Sequence, residues 1–477
     1  KEAQNVDGFV LGGRKVGPWL TAFAYGTSYF SAVVFVGYAG QFGWKYGIAS
    51  TWAGIGNAVI GSLLAWIILG KRTRIMSHTL NSSTMPDFFG KRFDAKSLKI
   101  GASIITFVFL IPYTASLYNG LSRLFGMAFN IDYTICVIIM AVLTGVYVIA
   151  GGYMATAIND FIQGIVMLGG IVAVIIAVIN GKGGFASAFA QMTQVSDPSV
   201  GAEQGAFASI FGPDPIGLLG VVILTSLGTW GLPQMVQKFY AIKDESAIKK
   251  GTIISTIFAL VVAGGCYFLG GFGRLFADQI DVKAGGYDSI IPTMLSGLPD
   301  ILIGIVVILV LSASMSTLSS LVLTSSSTIT IDLVNEAKKK KMSDKSQVLL
   351  MRVLIVVFIA LSVIIAIVQY KSNVTFIAQL MGISWGALAG AFLAPFIYSL
   401  YWKGVTKAAV LVNFLFGSGI MVANMLARAS FPTILQSPIN CGAFAMLAGL
   451  LIVPVVSLIT PKLSDEKKQA VFSCYEK

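Results

Sequence analysis

A run of hydroxyl side chains lies inside one of the most apolar stretches of the sequence. From Ser312 to Ser320 the chain reads Ser-Ala-Ser-Met-Ser-Thr-Leu-Ser-Ser. Ser316 and Thr317 follow Ala313 by three and four residues, and Ser320 by seven, so in a helix they share one face. Such a face suits a weakly bound monovalent cation, because hard cations take oxygen ligands. The structural alternative is that these hydroxyls bond to carbonyls one turn earlier or join neighbouring helices.

Two further segments are too irregular for continuous membrane helices. Residues 24–31 read Ala-Tyr-Gly-Thr-Ser-Tyr-Phe-Ser, and residues 228–233 read Gly-Thr-Trp-Gly-Leu-Pro. Gly26 weakens the first helix, and Pro233 removes a backbone hydrogen bond from the second. An unwound stretch frees carbonyls for an ion and the N-terminus of a half-helix for an anionic group. A plain proline kink between packed helices is the alternative for the second segment.

The elements that must position these residues are helices in a lipid bilayer. Of the 477 residues, 56% are apolar and 11% are charged, whereas soluble domains carry about 25% charged residues. Runs of roughly 20 apolar residues cross the hydrocarbon core, where only helices of this kind satisfy their own backbone. The predicted spans are 17–40, 47–70, 99–127, 132–150, 157–180, 206–236, 248–276, 299–331, 348–369, 374–401, 405–427 and 438–460.

The two irregular segments interrupt the first and the sixth span, so each opens a block of five helices. Because five is odd, the second block enters the membrane from the opposite side, as in inverted repeats whose discontinuous helices meet at the midplane. We therefore predict an all-α polytopic membrane transporter. A membrane enzyme is excluded because His, Asp and Glu do not cluster in the spans. We also predict that no carboxylate lies deep in a span, and hence no buried proton relay.

The basic residues indicate which side of the membrane each loop faces. If both ends are cytoplasmic, only seven of the 33 basic residues fall in outer loops, as the positive-inside rule predicts. These seven are Lys45, Arg123, Lys182, Arg274, Lys283, Lys371 and Arg428. The net charge of +12 is thus a topology signal, and the lysine run 338–341 needs no nucleic-acid partner. The four cysteines have neither metal-ligand nor disulfide spacing.

The orientation and the two blocks together predict a division of the chain. The predicted parts are a cytoplasmic segment (1–16), a first repeat (17–180), an extracellular loop (181–205), a second repeat (206–401), two further helices (402–460) and a cytoplasmic tail (461–477).

Several short motifs occur together along the chain. They are LGGR at 11–14, MPDFFGKRF at 85–93, GGY at 151–153, NDFIQG at 159–164, MSTLSS at 315–320 and TID at 330–332. With this combination the sequence resembles the sodium:solute symporter family over essentially its whole length. The segments GLP at 231–233 and IKDES at 242–246 are most similar to sodium/proline and sodium/pantothenate permeases.

The resemblance implies a LeuT-like core of five plus five inverted helices, with two more helices at the C-terminal end. Family members usually have one more helix before the first one here, which would explain the start of the sequence at Lys1. The resemblance also implies a sodium site between helices one and eight. Its ligands would be the carbonyls of Thr27, Phe30 and Ala313 and the hydroxyls of Ser316 and Thr317.

The chain departs from the family pattern at two of the relevant positions. Proline carriers have an aspartate where this chain has Tyr29, which leaves the affinity for sodium and the choice between sodium and protons open. Sugar and proline carriers have a tyrosine where this chain has Thr229. Candidate solute contacts, selected by position, are Tyr29, Ser31, Tyr113, Thr229, Trp230, Pro233, Ser384 and Trp385. Asp160 is interpreted as a helix N-cap at the cytoplasmic interface, with a step on the sodium exit path as the alternative.

These features predict alternating access, in which sodium and a small organic solute enter together. We expect a carboxylate-bearing solute, such as proline, another amino acid or pantothenate, because half-helix N-termini favour anions and because of the nearest relatives. Open alternatives are a sodium/sugar or sialic acid symporter and a transporter-like solute sensor. Sensors of this family are joined to kinase modules, whereas a short charged segment follows Pro461. We expect a monomer in the plasma membrane.

Overall fold

The computed structural model describes residues 2–372 and 377–476, and in this part of the chain it is helical without β-strands. Nine described helices are long and apolar enough to cross a membrane, or ten if the bent pair Pro215–Gly231 and Pro233–Ala241 is one span. Two of the nine, Val33–Thr79 and Tyr133–Asn180, have 47 and 48 residues. They are about twice the length that one crossing needs.

Each of these two long elements is interrupted by a glycine in a left-handed conformation. Gly47 has φ 64° and Gly152 has φ 57°, a region of backbone conformation that side chains with a Cβ disfavour. At Gly152 a Cβ atom would also lie 2.8 Å from the carbonyl oxygen of Phe9. Val33–Thr79 therefore completes the first crossing and supplies the second, and Tyr133–Asn180 supplies two, which gives twelve membrane helices in the described residues.

We number the membrane helices α1 to α12. Their bounds are α1a Pro18–Tyr29 and α1b 33–46; α2 51–79; α3 Lys96–Phe129; α4 and α5, the parts of Tyr133–Asn180 before and after Gly152; α6a Pro215–Gly231 and α6b Pro233–Ala241; α7 Glu245–Gly270; α8 Asp300–Ala337; α9 Asp344–Ser372; α10 Ile377–Tyr401; α11 Lys407–Leu426; and α12 Pro438–Ile459. Shorter helices lie at Val6–Leu11, Met85–Phe93, Phe185–Thr193, Ile290–Ser296 and Asp465–Phe472.

The breaks in α1 and α6 have nearly the same backbone geometry. Phe30 follows α1a in an extended conformation with φ −83° and ψ 120°. Leu232 separates the halves of α6 with φ −86° and ψ 121°, and Pro233 then opens α6b. The halves of α6 meet at 45°. Both discontinuities fall where the sequence predicts them.

Two helix starts differ from the expectation. The sixth helix begins at Pro215 rather than at 206, because the Asp214 side chain accepts a hydrogen bond from the amide of Gly217 (2.9 Å) and caps the helix there. The fifth begins directly after Gly152 rather than at 157. Asp160 therefore lies about two turns inside α5, so its interpretation as an N-cap is wrong.

Both ends of the described chain lie on the same face of the helix bundle. The amide of Val6 contacts Asp344 at the start of α9 (3.5 Å), and the hydroxyl of Tyr475 donates to the carbonyl of Arg72 near the end of α2 (3.1 Å). Arg14 donates to the carbonyl of Ser82 in the loop after α2 (2.7 Å). An even number of crossings requires this arrangement.

An ion cluster closes the bundle on that face. Lys99 at the start of α3 lies 2.9 Å from Asp87 of the helix Met85–Phe93 and 3.2 Å from Glu336 at the end of α8. Asp332 of α8 is 3.8 Å from the same ammonium group and accepts a hydrogen bond from Thr84 (2.6 Å). We call these four charged residues, Asp87, Lys99, Asp332 and Glu336, the Lys99 cluster.

Candidate functional site

Four of the five residues implied as sodium ligands are in contact at the break of α1. The Thr317 hydroxyl of α8 lies 2.9 Å from the carbonyl oxygen of Thr27 and 3.1 Å from that of Phe30. It also lies 3.1 Å from the carbonyl oxygen of Ala313, one turn earlier in α8. The group is buried. Ser316 is the next residue on the same face of α8 and is also buried.

The donor set at this point fits a small monovalent cation. A hydroxyl carries one proton, so Thr317 can satisfy only one of the three carbonyls at a time. Thr27 lies in the last turn of α1a and Phe30 lies at the break. Beyond the break, the amide of Phe35 donates to the carbonyl of Ser31 (3.0 Å). The carbonyls before the break therefore turn toward α8 instead of an amide one turn later. Carbonyl and hydroxyl oxygens are the ligands that hard cations take.

A buried carboxylate adjoins this oxygen cluster. The hydroxyl of Ser316 donates to one oxygen of Asp160 in α5 (2.6 Å). The other carboxylate oxygen of Asp160 is buried and has no hydrogen-bond partner among the described residues. The expectation that no carboxylate lies deep in a span is therefore wrong, because Asp160 is completely buried within the helix bundle.

A buried ammonium group lies on the same face of α8. Lys238 of α6b is 3% exposed and donates to the hydroxyl of Ser320 (3.0 Å). It also lies over the ring of Tyr153, 5.0 Å from the centroid. Ser320 in turn is 2.9 Å from the hydroxyl of Ser28 in α1a. The hydroxyl face predicted from spacing thus reaches α1a, α5 and α6b.

Three of the predicted solute contacts meet beyond the break. The rings of Tyr113 (α3) and Trp385 (α10) pack edge to face with centroids 5.9 Å apart. The Tyr113 hydroxyl faces the side chains of Ser31 and Trp385. Ser31 accepts a hydrogen bond from the amide of Val33 (3.2 Å), which fixes it at the start of α1b. A Cβ at Gly228, in the last turn of α6a, would lie 3.4 Å from the Trp385 ring.

This region contains polar groups that no described residue satisfies. The hydroxyls of Tyr38, Tyr113 and Tyr267 and the indole nitrogen of Trp385 are buried and form no hydrogen bond of good geometry in the described chain. Tyr113 faces Ser31 and Trp385, and Tyr267 faces Asn57 and Thr225, without such a bond. Tyr38 lies near both of the other tyrosines. We call these four residues the donor cluster. Buried polar groups are nearly always satisfied, so the cluster fits a polar ligand or water.

Other predicted solute contacts use their polar groups on the backbone of neighbouring helices. The hydroxyl of Thr229 donates to the carbonyls of Gly61 (3.2 Å) and Ser226 (3.0 Å), and the Trp230 indole donates to Ile60 (2.8 Å). The π-helical turn of α2 at these positions displaces the carbonyls from the regular ladder.

Three further candidates occupy the ends and faces of the half-helices. The Ser384 hydroxyl donates to the carbonyl of Phe109 in α3 (2.5 Å). Pro233 is the first residue of α6b, and Tyr29 is the last of α1a. The side chain of Tyr29 lies outside the described part of the structure.

Several residues of the site escaped the sequence analysis. Tyr38 and Tyr267 read as ordinary aromatic residues of apolar spans. Gln234, in the first turn of α6b, is buried with neither amide atom satisfied by a described residue. The feature of the sequence that could have identified Gln234 is its position directly after Pro233, where the break places a polar side chain inside the helix bundle.

A cavity of about 610 Å³ opens on the face opposite the termini. Its lining includes Arg123, Lys283 and Asp288. Asp288 accepts a hydrogen bond from the amide of Ile377 at the start of α10 (3.2 Å). Burial raises the pKa of Asp288 to about 6, although this hydrogen bond and Arg123 oppose the rise. The pKa of this loop carboxylate therefore lies above the ordinary range of an aspartate.

Comparison with known proteins gives a consistent result. The model of the sodium:solute symporter family matches residues 9–417. The chain is 28% identical over 466 residues to the osmoregulated proline transporter OpuE of Bacillus subtilis, covering 97% of this chain and 91% of that protein. It is 27% identical over 477 residues to a sodium/proline symporter of Staphylococcus aureus, covering 98% and 89%.

Solved structures share the fold at lower identity. The substrate-bound outward-open state of a Na⁺-coupled sialic acid symporter aligns with a TM-score of 0.74 at 16% identity, covering 97% of this chain and 94% of that one. The nucleobase-cation-symport transporter Mhp1, in a closed conformation, aligns at 0.53 and 14%, covering 97% of both chains. These alignments confirm the predicted LeuT-like fold with discontinuous α1 and α6.

Proposed function

Because the chain belongs to the sodium:solute symporter family, a family of sodium-coupled carriers and not of enzymes, we propose that it imports a small carboxylate-bearing solute with sodium by alternating access. Proline is the first candidate, since the two relatives named above are a proline transporter and a sodium/proline symporter. Sialic acid, the substrate of the structural relative, also carries a carboxylate and is the second.

The donor cluster is the observation that carries the choice of a carboxylate. Three phenol hydroxyls and one indole N–H are buried there without a hydrogen bond of good geometry to a described residue, and an indole nitrogen can only donate. A carboxylate accepts several hydrogen bonds at once. The half-helix α1b begins beside Ser31, and the positive end of its dipole adds to the attraction for an anion.

Sodium supplies the second part of the mechanism. The proposed ligands are the carbonyls of Thr27, Phe30 and Ala313 with the hydroxyls of Ser316 and Thr317. These residues belong to α1 and α8, so a bound ion joins the two helices across the break. Joining them organises α1b and the solute site above it, and sodium and solute then favour each other's binding by the same factor.

The topology follows from charge. We place the face that carries both termini and the Lys99 cluster in the cytoplasm, because most basic loop residues lie on that side. The cavity lined by Arg123 and Asp288 then opens outward. We propose that the protein lies in the plasma membrane with both ends in the cytoplasm. We further propose that the monomer is the transporting unit, without a nucleic-acid partner.

Uptake into proteoliposomes tests the proposal. Vesicles with an imposed inward sodium gradient would be offered radiolabelled proline, pantothenate, sialic acid and a neutral sugar in parallel. We expect sodium-dependent accumulation of one carboxylate-bearing solute. Uptake of the sugar alone would contradict the choice of substrate class, and uptake that ignores sodium would contradict the coupling.

A pair of tryptophan variants tests the donor cluster. Trp385→Phe keeps an aromatic ring and removes the N–H. Loss of a hydrogen bond to a charged group is worth about 1.5–3 kcal/mol, so we expect the KM for solute to rise at least about tenfold. Trp402→Phe is the matched control, because Trp402 lies beyond the end of α10, away from the cluster. Equal KM values in the two variants would remove the donor cluster from the solute site.

A further inference from the structure

Two opposite charges from neighbouring helices bind the hydroxyl face of α8 one helical turn apart. Ser316 donates to the Asp160 carboxylate of α5, and Ser320 accepts from the Lys238 ammonium of α6b. The two serines are spaced i and i+4, which is about 6 Å along a helix. Both charged side chains are buried. Neither belongs to the five proposed sodium ligands.

The two charges interact without direct contact. Asp160 and Lys238 hydrogen-bond to serines one turn apart on α8, so their charges attract each other, but they form no direct ion pair in the described part of the chain. Asp160 retains an unpartnered oxygen there. Lys238 has three N–H donors, of which one bonds to Ser320 and the π face of Tyr153 stabilises the charge.

Without the lysine, this location would have the composition of a cation site. It would hold one carboxylate and the hydroxyls of Ser316 and Ser320, all of them hard oxygen donors. A buried carboxylate also requires a counter-charge, because an uncompensated charge in a low-dielectric interior is strongly unfavourable. The chain supplies that charge through Lys238.

We infer that Lys238 is the built-in counter-ion of Asp160 and takes the place of a second transported cation, so that one sodium ion moves with each solute molecule. The inference rests on the proposed sodium symport. A sodium ion entering beside the ammonium would meet a like charge in a medium that screens little. The positive charge that stabilises Asp160 therefore remains in the protein throughout the cycle and is not delivered to the cytoplasm.

A purely structural role for Lys238 predicts something different. A tether between α6b and α8 would need only a donor for Ser320, and its loss would lower stability and transport without changing how many ions bind. The counter-ion role predicts a change in ion number. Counting ions therefore separates the two.

The experiment uses the full-length protein in proteoliposomes, with ²²Na⁺ and labelled solute fluxes measured together. The wild type is expected to move one sodium per solute, with a Hill coefficient for sodium close to one. In Lys238→Met the stem is kept and the charge removed, and we expect two sodium ions and a Hill coefficient approaching two. Lys238→Arg keeps the charge and is expected to stay at one.

A double variant and a binding measurement distinguish a change in ion number from misfolding. The double variant Lys238→Met/Asp160→Asn removes both charges and should return to one sodium. Sodium-dependent thermal stabilisation of the purified protein counts binding sites without any solute, so it separates failure of this inference from failure to identify the substrate. Two sodium ions in the wild type, or one in both the wild type and Lys238→Met, would overturn the counter-ion role.

Discussion

Replacement of Thr317 by alanine tests the sodium site most directly. The hydroxyl of Thr317 lies within 3.1 Å of the carbonyls of Phe30 and Ala313 and 2.9 Å from that of Thr27. Alanine removes the one side-chain oxygen at the centre of this group and leaves the helix backbone in place. The variant therefore deletes one proposed ligand out of five without changing the charge of the site.

The size of the effect follows from the strength of a contact to a charged group. Such contacts contribute about 1.5–3 kcal/mol, and each 1.4 kcal/mol is about a factor of ten in affinity. The sodium concentration for half-maximal uptake should therefore rise roughly 10- to 100-fold in Thr317→Ala. Because binding is reciprocal, the apparent affinity for solute at fixed, low sodium should fall by up to the coupling factor, while its value at saturating sodium should recover.

The assay is initial uptake as a function of external sodium, at several solute concentrations, in proteoliposomes. Thr317→Ser keeps the hydroxyl and should behave nearly as the wild type. Ser326→Ala is the matched control on the same helix, since Ser326 is buried and its hydroxyl donates within α8 to the carbonyl of Leu323 (3.1 Å). An unchanged sodium requirement in Thr317→Ala would refute the assignment, as would an equal shift in Ser326→Ala.

Two further predictions concern stability. Burial raises the pKa of Asp288 from 3.8 to about 6, so the folded state holds a proton that the unfolded state releases, and stability falls as pH rises from about 4 to about 6. The two-unit shift corresponds to at most about 3 kcal/mol. In Asp288→Asn, Tm should no longer fall over this pH range. The control Asp278→Asn, at an exposed position, should still show the fall. Gly152→Ala should lower Tm by a few degrees through backbone strain of about 1–3 kcal/mol. Gly169→Ala is the control, because a Cβ there would lie in open space on α5, and it should leave Tm unchanged or raise it slightly. Equal Tm values in the two glycine variants would contradict the role of the left-handed turn.

The periodic features of the sequence predicted much of the fold and part of the site. Hydroxyl spacing selected the face of α8 on which Thr317 meets the α1 carbonyls, because a helix fixes which side chains share a face. Glycine and proline marked both discontinuities, since these residues weaken a helix wherever they occur. The proposed backbone ligands Thr27 and Phe30 came from the resemblance, because a carbonyl leaves no mark in the sequence of side chains.

The charged residues of the site were missed for a physical reason. Hydropathy ended the sixth span at 236, two residues before Lys238, because a half-helix of nine residues after a break contributes little apolar length. The same measure began the fifth span at 157 and put Asp160 at the interface. In the fold, α5 begins directly after Gly152, and tertiary packing surrounds both charges. A linear window cannot represent burial that arises from other helices.

The Lys99 cluster makes the two faces of the protein chemically unlike. Lys99 and its carboxylate partners Asp87 and Glu336 have side chains 11%, 3% and 19% exposed, and these charges join α3, α8 and the helix Met85–Phe93. Dissolved ions weaken such contacts. With this face on the inside, as proposed, raising salt inside the vesicle at constant sodium should speed the return of the empty carrier and shorten its cycle time, while the same salt outside should not. The transporter would then sense the ionic strength of the compartment it fills.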